Sequence, residues 1–203
     1  TIPPPCWVLA TPGIEHLEYP ASSCESGLAS SPLHRMPVVN HTESPMSRPP
    51  LLVVVLAAGQ GTRMKSALPK VLHKVGGRSM PGHVLALAQG IGADALSVVV
   101  GPGMDTVRAE ALKHAPDAKV YVQEQQRGTA DAVLAARDAL KGHNGDVVVL
   151  YADTPLLTAD ALERLRARLD DGAGICVLGF DSADPLGYGR LLLDGTGFLS
   201  AIR

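Results

Sequence analysis

From residue 51 onward, short apolar runs alternate with stretches of helical spacing along this 203-residue chain. Leu51–Leu56 is six β-favouring apolar residues without a polar interruption. Such a run predicts a strand buried on both faces, as in a parallel sheet. It stops at a small, glycine-rich turn, Ala57-Ala58-Gly59-Gln60-Gly61. Met80–Gly90 carries Val84, Leu85, Leu87 and Ala88 at helical spacing, with Pro81 tolerated in a first turn. Ala95–Val100 predicts a second strand, Asp105–His114 a second helix and Ala118–Val122 a third strand. Thr129–Leu140 is an alanine-rich helix with Ala132, Val133, Ala136 and Leu140 on its apolar side. Asp146–Leu150 is a fourth strand, and Thr158 caps a helix reaching about Leu169. Ile175–Phe180 predicts a fifth strand. Tyr188–Leu193 and Phe198–Ile202 flank a hairpin signal, Asp194-Gly195-Thr196-Gly197. Repeated strand–helix alternation implies an α/β, Rossmann-like fold: a mostly parallel sheet with right-handed crossovers and helices on both faces.

Residues 1–48 break this pattern. Ten of the 16 prolines precede residue 51, serines cluster around Ser22, Ser30 and Ser44, and no periodicity persists. The segment lacks the basic start and apolar centre of a signal peptide. It reads as a disordered leader outside the native protein, with Met46 a candidate start. A globular domain is expected over residues 49–203.

Composition narrows the function. A net charge of −2 and 3% aromatic residues offer neither the basic field nor the stacking surface of a nucleic-acid partner. No apolar run approaches the ~20 residues of a bilayer span, so no membrane partner is expected. Cys6, Cys24 and Cys176 lack metal-ligand spacing, and a buried free thiol at Cys176 fits a cytoplasmic protein. The seven histidines form no zinc motif, and there is no G-x-S-x-G elbow.

Four stretches carry candidate chemistry. The first is the glycine turn, where nearly absent side chains let backbone approach a ligand, followed by Arg63 and Lys70. Small backbone, free N–H groups and two cations suggest a nucleoside triphosphate site, against a plain strand-to-helix turn with two surface cations. The turn is not a P-loop, and Met64 stands where a dinucleotide fingerprint needs glycine. The second is Gln123-Glu124-Gln125-Gln126-Arg127-Gly128-Thr129, in which an amide could pair with a base edge; the alternative is a polar loop with a threonine cap. The third is Asp153, past a strand end, where a carboxylate suits Mg²⁺; the alternative is a turn aspartate before Pro155. The fourth is Leu186-Gly187-Tyr188-Gly189-Arg190, open to a sugar contact or to a bulge.

Taken together and in order, these segments resemble one family. They are Leu56-Ala57-Ala58-Gly59-Gln60-Gly61-Thr62-Arg63-Met64, Pro69-Lys70-Val71-Leu72-His73, Met80 with His83-Val84, Glu124-Gln125 with Gly128-Thr129-Ala130, Tyr151-Ala152-Asp153 with Pro155-Leu156, and Gly187-Tyr188-Gly189-Arg190. The set is similar to the pyrophosphorylase part of the bacterial bifunctional N-acetylglucosamine-1-phosphate uridyltransferases / glucosamine-1-phosphate acetyltransferases. The resemblance covers about 51–203 and implies the nucleotide-diphospho-sugar transferase fold. It implies that Leu56, Ala57, Ala58 and Gly59 contact uracil and ribose through backbone, and that Arg63 and Lys70 hold UTP phosphates and are catalytic. It further implies that Gln123, Gly128 and Thr129 read uracil, that Tyr151, Ala152 and Asp153 face sugar and ribose with Asp153 on Mg²⁺, and that Gly189 contacts N-acetylglucosamine. Two residues depart from the family pattern. Ala152 replaces a usual glycine, and Asp131 replaces a frequent histidine at a helical position expected to matter little. The family's second metal ligand, further sugar-binding residues and a trimer-forming acetyltransferase β-helix have no counterpart up to Arg203, so an incomplete domain is expected.

The implied reaction is uridylyl transfer from UTP to N-acetylglucosamine 1-phosphate, giving UDP-N-acetylglucosamine for cell-wall and lipopolysaccharide precursors. The alternatives are another sugar- or alcohol-phosphate nucleotidyltransferase, and a nucleotide-binding module without turnover.

Overall fold

The computed structural model describes residues 8–9, 48–59, 61, 64, 66, 68–195 and 197–203. The remaining leader residues, and Arg63 in the glycine turn, lie outside the described residues. Val8–Leu9 (β1) lie parallel to Leu178–Gly179 (β8).

The fold is built around Leu51–Leu56 (β2), every residue of which is buried. Ala95–Val100 (β5) pairs with it on one side and Asp146–Tyr151 (β7) on the other, both parallel and in continuous register. Lys119–Val122 (β6) adds to β5, giving the order β6–β5–β2–β7. Side chains alternate across the sheet, so β2 serves two cores. Leu51, Val53 and Val55 pack with Val84 and Leu85 of Met80–Gly90 (α1), Val107 of Asp105–His114 (α2) and Leu162 of Ala159–Asp170 (α5). Leu52, Val54 and Leu56 pack on Ala132, in Thr129–Ala135 (α3), and on Ala136. Burying each such Val or Leu contributes about 1.5–3 kcal/mol, which is why an uninterrupted apolar run here specifies a central strand.

The bounds predicted for β2, α1, β5 and α2 coincide with those observed. Three expectations change, and one element is new. The helix over Thr129–Leu140 is two, α3 and Arg137–Lys141 (α4), with the break at fully buried Ala136. No Gly or Pro lies there, so propensity does not cause the break; Ala136 packs tightly in the core beneath the sheet. Ile175–Phe180 is regular only at β8, which does not join the four-stranded sheet. Its apolar residues Ile175 and Phe180 stay exposed because the sheet edge is elsewhere. β7 continues to Tyr151, and its Val147 and Val149 are exposed at this edge of the sheet. A small hairpin, Lys74–Val75 (β3) and Arg78–Ser79 (β4), escapes the periodicity analysis. Its turn, Gly76-Gly77, has both φ angles positive (56° and 85°), as a tight two-residue hairpin requires. His83 Nε2 lies 2.7 Å from the Val75 carbonyl, tying the hairpin to α1. Leu191–Leu193 (β9) and Leu199–Ile202 (β10) form the predicted antiparallel pair.

Thr158 caps α5, its Oγ1 accepting from the Ala161 N–H. Buried Arg166 of α5 pairs with Asp146 and donates to the Pro49 carbonyl, while Arg48 pairs with Glu163 and Asp170. The chain entering β2 is thus pinned to α5.

Two predictions follow from the packing. A Cβ on Gly145 would sit 2.0 Å from the Pro50 carbonyl oxygen, which accepts from the Asp146 N–H at 2.9 Å. Gly145→Ala should cost about 1–3 kcal/mol. Because a kilocalorie moves the midpoint of a domain this size by ~2–4 °C, thermal melting will register it. An unmoved midpoint would show that residues 49–50 give way freely. Between α1 and α2, Ser79 Oγ donates to Glu110 Oε1 at 2.7 Å and His114 Nε2 lies 3.0 Å from the same oxygen. The Ser79 hydroxyl and then His114 hold Glu110 below its ordinary value of 4.5. A depressed carboxylate contributes stability that is present above its unfolded pKa and lost as pH falls through the folded one. Glu110→Gln should therefore flatten the stability loss below pH ~4.5, read as urea midpoints against pH.

Candidate functional site

Three loops leave the sheet along one edge. Ala57 N–H donates to the Val99 carbonyl, Gln123 N–H to Val100, and Ala152 N–H to Leu56, so backbone pairing carries the turns after β2, β6 and β7 to the same level. Ligands of open α/β sheets bind outside the carboxyl ends of the strands. Here those turns enclose a cleft of about 490 Å³.

Nine predicted residues line the cleft: Leu56, Ala58, Gly59, Lys70, Gln123, Gly128, Thr129, Tyr151 and Asp153. Ala57 and Ala152 do not. Both are buried in the core on the α1–α2–α5 face, so the Ala152 methyl meets apolar side chains rather than the cleft. Gly189 lies in a second depression, with Phe180, Tyr188 and Leu191, formed by β8 and the β9–β10 region.

Among the described residues lining the cleft, the charge is concentrated in one ion pair. Lys70 Nζ lies 2.6 Å from Asp153 Oδ2, and both side chains are roughly a third exposed. Lys70 opens a short 3-10 turn, Lys70–Leu72, whose Val71 is buried and anchors it. Gly61, at φ +59°, backs onto the lysine stem: a Cβ there would lie 2.4 Å from Lys70 Cβ. The second glycine of the turn is therefore required for Lys70 to point where it does. Tyr151 Oη reaches Thr129 Oγ1 at 3.5 Å across the opening.

Two contacts join the loops. Gln126 Nε2 donates to the Ala58 carbonyl at 2.8 Å, crossing from the β6 loop to the glycine turn. Gly101 leaves room for it, since a Cβ there would come within 3.1 Å of that nitrogen. Gln123, almost fully buried, donates through Nε2 to the Gly128 carbonyl at 3.2 Å and to Asp131 Oδ2 at 3.0 Å. Asp131 also pairs with Arg127. Asp131, expected to matter little, lies in the first turn of α3, and its carboxylate returns to Gln123. Gln126, Gly61, Met64, Val71 and Ala132 complete the lining and were not singled out as site residues. Position in the Gln-rich stretch was the only signal for Gln126.

Among the described residues no group of three or more His, Cys, Asp or Glu converges on a metal position. Asp153 offers one carboxylate beside an ammonium. That donor set suits an ion which takes one carboxylate from protein and its other oxygens from phosphate and water.

A parallel sheet, a glycine turn at the end of its central strand, and a lysine and carboxylate facing each other across a cleft define an α/β protein that handles nucleoside phosphates. Comparison with known proteins agrees. Residues 53–198 match the MobA-like NTP transferase domain, and the chain belongs to that family. It is 60% identical over 158 residues to the bifunctional protein GlmU of Azorhizobium caulinodans, covering 78% of this chain and 35% of that protein. With GlmU of Xanthobacter autotrophicus it is 59% identical over 150 residues, covering 74% and 34%. The chain thus spans about a third of the length of the curated relatives it matches. Among solved structures, Rv0371c from Mycobacterium tuberculosis superposes with a TM-score of 0.51 at 26% identity, covering 60% of this chain and 61% of that one. A 4-diphosphocytidyl-2C-methyl-D-erythritol synthase superposes with a TM-score of 0.52 at 22% identity, covering 77% and 68%, a likeness of fold.

The geometry around Lys70 yields a direct test. Gly61→Ala should displace the lysine stem and weaken nucleoside triphosphate binding about tenfold or more, the scale of one charge-assisted contact. A titration showing unchanged affinity would mean Lys70 does not meet the phosphates.

Proposed function

We propose that this chain carries the uridylyl-transfer site of a GlmU-type protein, joining UTP and N-acetylglucosamine 1-phosphate to give UDP-N-acetylglucosamine and pyrophosphate. The observation that carries the reading is the cleft itself. It brings nine of the residues expected to contact nucleotide or sugar onto one edge, with Lys70 and Asp153 in contact. The identity to GlmU proteins supports the same assignment.

In this reading the glycine turn offers backbone to ribose and base, Gln123, Gly128 and Thr129 read uracil, and Tyr151 borders the sugar. Lys70, with Arg63, neutralises the triphosphate, and Gly189 serves the sugar. Asp153 would hold Mg²⁺, which, when bound, spreads the charge of the phosphates. The nucleophile is a phosphate oxygen of the sugar phosphate, which attacks the α-phosphorus of UTP as pyrophosphate leaves. A phosphate monoester has its second pKa near ~6, so it is largely dianionic at neutral pH and needs no general base. The chain's work is then alignment and charge stabilisation. The product would feed cell-wall and lipopolysaccharide precursors in the cytoplasm. Residues 49–203 form the transferase unit, and an acetyltransferase β-helix and homotrimer would belong to the longer relatives. No helix among the described residues is long and apolar enough to cross a membrane.

Pyrophosphate release from UTP and N-acetylglucosamine 1-phosphate tests the reading against CTP, GTP and other sugar phosphates. UTP with N-acetylglucosamine 1-phosphate should be the preferred pair. Lys70→Ala should lower the rate ~10²–10³-fold, the usual loss for one transition-state charge contact. Faster turnover of another pair would replace the substrate assignment. UTP binding without any pyrophosphate release would instead favour a nucleotide-binding module.

A further inference from the structure

We propose that Asp131 is a positioning residue that makes the cleft selective for uracil, by holding the Gln123 amide so that only its carbonyl oxygen is offered to the base. The proposal rests on the nucleotide reading above and goes beyond it to the origin of base choice. Gln123 lines the cleft, and its side chain is almost fully buried, so water does not satisfy the amide. Its nitrogen has two protons, and the structure supplies two acceptors, the Gly128 carbonyl at 3.2 Å and Asp131 Oδ2 at 3.0 Å. Neither a carbonyl nor a carboxylate can donate. The nitrogen, not the oxygen, must therefore face them, whichever way an amide is otherwise drawn. Asp131 Oδ1 is itself engaged by Arg127 Nε at 3.6 Å. With both donors committed, Oε1 is the amide's remaining hydrogen-bonding group. It accepts from uracil N3–H. Cytosine presents an unprotonated ring N3 at the same place, and two acceptors then face each other in a site shielded from water. A site built for one hydrogen-bonding pattern rejects the analogue that leaves a buried group unpaired. Without Asp131 the Gly128 carbonyl alone restrains the amide, and rotation about the last side-chain bond would offer N–H₂ to the base.

The test is the ratio of dissociation constants for UTP and CTP, measured by titrating the 203-residue chain and following backbone amide shifts, which report even weak binding. Tripolyphosphate, which has no base, serves as the probe for the phosphate subsite. The unaltered chain should prefer UTP. Asp131→Ala should reduce that preference about tenfold, the low end of what a hydrogen bond to a charged group contributes, while tripolyphosphate affinity stays put. Asp131→Asn retains an acceptor oxygen for Gln123 and should keep the ratio within about twofold of the parent. Asp131→Leu repeats the deletion with more bulk if the alanine variant does not fold. An unchanged ratio in Asp131→Ala or Asp131→Leu overturns the proposal, and so does an Asn variant that loses as much as Ala. A parent chain that binds tripolyphosphate but shows no preference for UTP would remove the uridylyl reading itself, which is a different failure from an unchanged ratio.

Discussion

The site exists because β2 is hydrogen-bonded on both sides. With β5 on one flank and β7 on the other, each in unbroken parallel register, the ends of these strands are held level to within a residue. The start of the glycine turn is held by the Ala57 N–H on Val99, and the approach to Asp153 by the Ala152 N–H on Leu56. Charged groups far apart in sequence, Lys70 and Asp153, meet because the sheet brings them together.

Within that frame the cleft is tied across rather than along the chain. Gln126 bonds the Ala58 carbonyl, Tyr151 approaches Thr129, and Lys70 meets Asp153, each joining different strand ends. The glycines serve this cross-linking in two ways. Gly61 yields space to a lysine stem and Gly101 to an amide, so in both cases the missing Cβ is occupied by a functional side chain from elsewhere. The charges are deployed sparingly: among the described residues lining the cleft there is one ammonium–carboxylate pair, roughly a third exposed and therefore a weak contact, open to exchange at modest cost.

Much of this was legible in the sequence because apolar periodicity is local. Leu51–Leu56 and Met80–Gly90 declare themselves in one window, and the glycine turn, Gln123 and Asp153 sit at ends that periodicity marks. Three features were not legible. The break at buried Ala136 has no Gly or Pro beside it to announce it. Ile175–Phe180 has strand-like residues but no place beside β7, and pairing partners are a property of the whole fold. Asp131 looked like an ordinary polar residue on a helix because its partner lies back across the helix start, at a spacing shared by many surface residues. The Gly76-Gly77 turn was legible in principle: two glycines between Lys74-Val75 and Arg78-Ser79 are a hairpin signal, overlooked because the strands are only two residues long.

The same central strand has a consequence in time. β2 finds its first partner at Ala95, but its other edge waits for Asp146, which pairs with Leu51 about 95 residues later. At ribosomal rates of ~5–20 residues per second, the Leu-Leu-Val-Val-Val-Leu edge stands unpaired for roughly 5–20 seconds of synthesis. A six-residue apolar stretch with no charge and no proline is the kind that recruits another such stretch while it waits. The order of strands that places the cleft so well thus makes the nascent chain adhesive until β7 emerges, and the yield of soluble protein should depend on what covers that edge in the interval.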